Sequence, residues 1–110
     1  MKRGEIWTVS GGAGYAGKPR PALIVQADWL TAAVESVLVC GITSLMQDNM
    51  LSRPALAPSA NNGLRGPSQV MADKIIAVPR DKLGMRVGEL SAADMARVEQ
   101  AMMLVLGFAG

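Results

Sequence analysis

Arg20 stands between Pro19 and Pro21 and opens the apolar run Ala22-Leu23-Ile24-Val25. A proline fixes its own φ and pushes the residue before it toward extended backbone. The guanidinium therefore sits at a stiff junction between a loop and a strand that reads as buried. A permanent cation held at the mouth of a core strand suits a phosphate or a carboxylate; the alternative is an ordinary surface arginine at a strand start. Other chemistries are excluded by what is absent. The chain has no histidine, which removes the commonest acid/base residue, the usual zinc ligand set and any Ser-His-Asp triad. The glycines of Ser10-Gly11-Gly12-Ala13-Gly14-Tyr15-Ala16-Gly17 precede a proline and a strand rather than a helix, so they are not a phosphate-cradling loop of the usual kind. The single cysteine, Cys40, lies in the strand pattern Val37-Leu38-Val39-Cys40 and reads as a buried, inert thiol.

Those residues must be positioned by a chain of 110 residues, half of them hydrophobic and 18% charged. That is a globular composition, long enough for one domain, 1–110, with one core. Lone-cysteine usage fits a reducing compartment. The start Met1-Lys2-Arg3-Gly4-Glu5-Ile6-Trp7 lacks the apolar stretch of a signal peptide, and no run approaches membrane-spanning length. The expected location is the cytoplasm, with no membrane contact. The net charge is +2, but residues 1–86 carry ten Lys/Arg against six Asp/Glu, while residues 87–110 carry one against three. A basic body favours a polyanion or an acidic peptide as partner.

In chain order, Gly4 to Val9 alternates as a first strand, with Ile6 and Trp7 on opposite faces. Residues 10–19 form a glycine-rich loop and residues 21–27 a second strand. Asp28 to Glu35 is a short turn of helix or a loop. Ser36 to Thr43 is a third strand, and Leu56-Ala57-Pro58 a short edge strand. Asn62-Gly63 marks a turn. Ser68–Met71 and Lys74–Val78 read as two strands, with a kink or bulge at Ala72-Asp73, and Arg80–Leu83 as one helical turn. Ser91-Ala92-Ala93-Asp94 is a capping-box-like helix start. Met95, Val98, Met102, Val105 and Leu106 form the core stripe of the helix that follows, and Gly107 closes it. Met103 and Leu104 add apolar surface suited to a partner. The architecture is mainly β with a C-terminal α-helix: a strongly curved antiparallel sheet or small barrel capped by the helix.

Several blocks resemble, in order, the MazF/PemK family of toxin endoribonucleases. Arg3-Gly4-Glu5-Ile6-Trp7 is similar to the family's RGEIW opening, and Arg20-Pro21-Ala22-Leu23-Ile24-Val25 to its RPxLIV strand. Gly41-Ile42-Thr43-Ser44 is similar to its third-strand end. Ser68 to Ile75, then Lys82-Leu83, resembles its late strand pair and helical turn. The resemblance implies an SH3-like barrel that works as a homodimer and cuts single-stranded RNA without a metal or other cofactor. It implies 2′,3′-cyclic phosphate and 5′-OH ends, and an acidic MazE-like antitoxin as partner. By the same resemblance Arg20 and Thr43 are the catalytic candidates, Arg20 stabilising the phosphorane and Thr43 hydrogen-bonding the phosphate. Asp73 is a candidate base, or else a structural turn carboxylate. Lys18, Ser68, Gln69 and Tyr15 are candidates for RNA contact. Met71 departs from members that carry an arginine there, which places this chain nearer an Arg/Thr subtype. With only Trp7, Tyr15, Trp29 and Phe108 as aromatics, recognition must lean on hydrogen bonds and backbone charge.

Two other functions fit the same outline. CcdB-like toxins share the barrel and bind DNA gyrase through C-terminal residues, and the tail Leu106-Gly107-Phe108-Ala109-Gly110 is apolar. A catalytically silent relative that only buffers an antitoxin is the third.

Overall fold

Apolar alternation in the first strand, apolar runs in the two that follow and turn residues between them shape the sheet, and a capped amphipathic stretch forms the terminal helix. A computed structural model describes residues 1–10, 18–48 and 50–108. Most of the expected glycine-rich loop, with Tyr15, lies outside the described residues. The elements are β1 (Glu5–Val9), β2 (Arg20–Ile24), a single helical turn α1 (Asp28–Thr31), β3 (Ser36–Thr43), β4 (Ala55–Leu56), β5 (Ser68–Pro79), a 3-10 turn (Arg80–Lys82), β6 (Leu83–Glu89) and α2 (Ala92–Val105).

Among the described residues the strands form one antiparallel sheet in the order β4-β5-β3-β2-β1-β6. Its two edges are joined by a loop. The segment between β4 and β5 reaches across to β6, where the Glu89 N–H donates to the Asn61 carbonyl at 2.9 Å. The sheet is thereby curled into a half-barrel. Ile6, Leu23, Val25, Cys40, Ile42 and Val70 bury one face, together with Val98 of α2. Val9, Ala22, Ile24, Val37, Val39, Val78 and Leu83 bury a second cluster, against which Trp7 packs. Ile6 and Trp7 do face opposite ways, as their alternation predicts.

Three differences from the sequence expectation are instructive. Ser68 to Pro79 is one strand, and the kink at Ala72-Asp73 appears within it as a register shift between the Cys40↔Ile75 and Ile42↔Val70 pairs. A bulge adds residues to one strand without ending the ladder.

β6 carries no clear sequence signal, because Gly84 and Gly88 interrupt it. Both glycines answer to close approaches: a Cβ at Gly84 would come 2.7 Å from Thr8 Oγ1, and one at Gly88 would land on the backbone of Asn61 and Asn62.

The expected core stripe of α2 ends early. Val98 and Ala101 are buried and Met95 and Met102 pack on the core, but Val105 and Leu106 are exposed. The helix ends are as expected. The Ser91 hydroxyl accepts from the Asp94 N–H at 3.1 Å. Gly107 (φ 80°) turns the chain so that the Phe108 N–H reaches the Met103 carbonyl and the Gly107 N–H the Leu104 carbonyl.

Candidate functional site

β2 and β3 are neighbours, with Ala22 opposite Gly41. The start of one strand and the end of the other therefore lie side by side, which brings Arg20 and Thr43 to one groove of about 690 Å³. Thr8, Pro21, Ile42 and Ser44 line it beside them, and the Gly63-Leu64-Arg65-Gly66-Pro67 loop, Ser68, Met71 and Val87 complete the lining. No carboxylate lines the groove among the described residues.

Arg20 is exposed and has no ion-pair or hydrogen-bond partner among the described residues, so its guanidinium is free for an anion. The Thr43 Oγ1 accepts the Leu45 N–H at 3.1 Å. That bond fixes the side chain through a lone pair and leaves the hydroxyl proton available to donate. Thr8 is arranged alike: its Oγ1 accepts the Met85 N–H at 2.9 Å.

The other candidates are placed differently. Ser68 lines the groove, but its hydroxyl proton goes to the Gly66 carbonyl at 3.0 Å, which leaves it acceptor capacity and a bracing role. Gln69 is buried outside the groove. Its Nε2 donates to the Gln47 carbonyl at 2.8 Å and its Oε1 accepts the Gln47 N–H at 3.0 Å, so the amide pins the loop after β3. Asp73 also lies away from the groove, where Arg53 grips it through Nε at 3.2 Å and Nη2 at 3.4 Å. That pairing matches the structural alternative for Asp73 rather than a base. Lys18 is exposed two residues before Arg20. Tyr15 lies outside the described residues.

Sequence reasoning missed Arg65. Its signal was a cation in a turn segment followed by Gly66-Pro67, a weaker version of the proline clamp on Arg20. Burial pushes the Cys40 thiol up to about 12, aided by the Asp73 charge, in keeping with an inert core residue.

The fold and site define a class: a curled antiparallel half-barrel with a C-terminal helix and a cationic groove free of carboxylates among the described residues. The family described as PemK-like, MazF-like toxin of type II toxin–antitoxin system matches residues 2–106. This chain belongs to that family. A probable endoribonuclease MazF from Mycolicibacterium smegmatis is 42% identical over 110 residues, covering 100% of both chains. A mycobacterial endoribonuclease solved in complex with its cognate antitoxin is 25% identical with a TM-score of 0.84, covering 100% of this chain and 98% of that one. A MazE–MazF structure from Deinococcus radiodurans is 20% identical with a TM-score of 0.78, over 97% and 96% of the two chains. The match favours the MazF branch over the gyrase-poison alternative.

Proposed function

We propose that this chain, the toxin of a type II toxin–antitoxin pair, cuts single-stranded RNA in the groove between Arg20 and the 63–67 loop. The observation that carries this is the convergence, from adjacent strands, of a guanidinium and a hydroxyl proton without partners among the described residues on one groove that no described carboxylate lines.

The reaction is a transesterification. The ribose 2′-oxygen forms a bond to phosphorus as the bond to the 5′-oxygen breaks, which leaves a 2′,3′-cyclic phosphate and a 5′-OH end. Charge accumulates on the nonbridging oxygens. Arg20 and the Thr43 hydroxyl donate to them and bind harder as that charge grows, without having to reorganise. Arginine is a poor proton donor at neutral pH, so its role is electrostatic. With Asp73 engaged by Arg53, the 2′-OH proton leaves to solvent, and solvent protonates the departing 5′-oxygen. Guanidinium and hydroxyl groups are poor metal ligands, and the chemistry asks for no metal.

The expected partners are single-stranded RNA, an acidic MazE-like antitoxin and a second copy of the chain, in the cytoplasm. Antitoxin binding is supported by the related mycobacterial and Deinococcus complexes. No helix among the described residues is long and apolar enough to cross a membrane.

Purified protein incubated with a long RNA and EDTA should still cut it and yield 5′-OH ends. Arg20→Ala should lower kcat at least a hundredfold, and Thr43→Val roughly ten- to a hundredfold, while Thr43→Ser keeps most activity. Intact RNA at high enzyme concentration would refute the function, and wild-type rates in folded Arg20→Ala would refute the site.

A further inference from the structure

The seven arginines divide sharply by partner. Arg3 pairs with Glu99, Arg53 with Asp73, Arg86 with Glu5 and Glu89, and Arg97 with Asp94. Arg80 donates to the backbone carbonyls of Thr31 and Val34. Among the described residues only Arg20 and Arg65 have no partner, and both line the same groove. They come from different segments, Arg20 from the head of β2 and Arg65 from the loop before β5.

That loop is tied down on either side of Arg65. Asn62 is 3% exposed. Its Oδ1 accepts the N–H groups of Ser59 at 2.9 Å and Leu64 at 3.0 Å, and its Nδ2 donates to the Ala57 carbonyl at 2.8 Å. Gly63 adopts φ 69° and passes so close to Val87 that a Cβ there would strike the Val87 carbonyl oxygen. After Arg65, the Gly66 carbonyl is held by the Ser68 hydroxyl. The backbone that presents Arg65 is therefore preorganised, while its side chain is exposed.

We propose that, granted the RNA-cutting role above, Arg65 binds the phosphate next to the scissile one. With a phosphoryl group held by Arg20 and Thr43, a second guanidinium lining the same groove is placed for the next anion along the chain. Arg65 thus contributes to ground state and transition state alike, a uniform binding effect that moves KM and leaves kcat alone.

Two measurements on the whole 110-residue chain test this. With cleavable RNA, Arg65→Ala should raise KM about tenfold or more with kcat within twofold, whereas Arg20→Ala loses kcat. With an uncleavable 2′-O-methyl oligonucleotide pool, Arg65→Ala should lower the slope of log binding constant against log salt by about 0.7, and Arg65→Lys should restore it. Arg65 touches no described residue through hydrogen bonds or ion pairs, so its replacement should leave the thermal melt unchanged.

An unchanged slope and KM, or a fall in kcat with KM unchanged, would overturn the assignment. Protein that binds the pool with the predicted slope difference but cuts nothing would sink the nuclease reading while upholding Arg65 as a phosphate contact. A wild type that neither binds the pool nor cuts RNA would overturn both.

Discussion

Glu5 gathers donors from four directions. Its Oε1 accepts the Lys2 N–H at 2.8 Å and the Trp7 indole N–H at 3.0 Å, and lies 3.6 Å from the N-terminal ammonium; its Oε2 accepts from Arg86 Nε at 2.9 Å. Burial alone would raise its pKa, but the Lys2, Trp7 and Arg86 hydrogen bonds and the terminal charge outweigh it and hold the value at about 2 instead of 4.5. A depressed carboxylate pKa stabilises the fold above the unfolded value, and that stability fades as pH falls from 4.5 toward 2. Discounted for solvent screening, the contribution is about 1–2 kcal/mol. Glu5→Gln should lose that much at pH 7 by denaturant unfolding and flatten the decline between pH 4.5 and 2. Single-residue roles were legible in the sequence only where a neighbour constrains the backbone. The prolines around Arg20 announce a cation at a stiff junction, whereas Thr43 reads locally as an ordinary strand residue and was singled out only by the family resemblance. The partners of Gln69 and Asp73 were not legible, because Gln47 and Arg53 are 22 and 20 residues away and meet them only in the fold.

Elements with an internal signal were readable. β1 follows from apolar alternation, β2 and β3 from apolar runs rich in β-branched residues, and α2 from its Ser91 cap and Gly107 stop. β6 was hidden because its glycines serve contacts with other segments rather than its own strand. That distinction is measurable. Gly88→Ala would push a methyl into the Asn61 and Asn62 backbone and should cost about 1–3 kcal/mol or more. Gly66→Ala, whose Cβ would meet nothing within 4 Å, should change stability by no more than about 0.5 kcal/mol. Equal melting temperatures for the two variants would contradict the contact seen at Gly88. The same principle explains the end of α2. Its apolar periodicity continues past Ala101, but the sheet beneath it does not, so the last turn is apolar without being buried.

At the scale of the molecule, that last turn is the most exposed apolar surface of the helix. Met103, Leu104, Val105 and Leu106 are all partly or well exposed, and Phe108 is 78% exposed. Leaving such a cluster in water is unfavourable for a monomer, which supports the homodimer proposed above. The wild type should sediment at about twice its 11.5 kDa chain mass, and Leu104→Glu with Leu106→Glu should shift it toward the monomer without lowering helix content. A wild-type monomer at micromolar concentration would overturn the dimer. The half-barrel outline was legible from element lengths and order. The seam that curls it was not, since a hydrogen bond between Asn61 and Glu89 leaves no mark on either local pattern.

That seam has a mechanical consequence. One segment both fastens the sheet's two rims and lines the cleft, so the shape of the cleft is tied to the same backbone bond that keeps the barrel wound. In the RNA-cutting role proposed above, stiffness at that bond should disfavour a paired strand, and this discrimination should soften on warming before the protein melts.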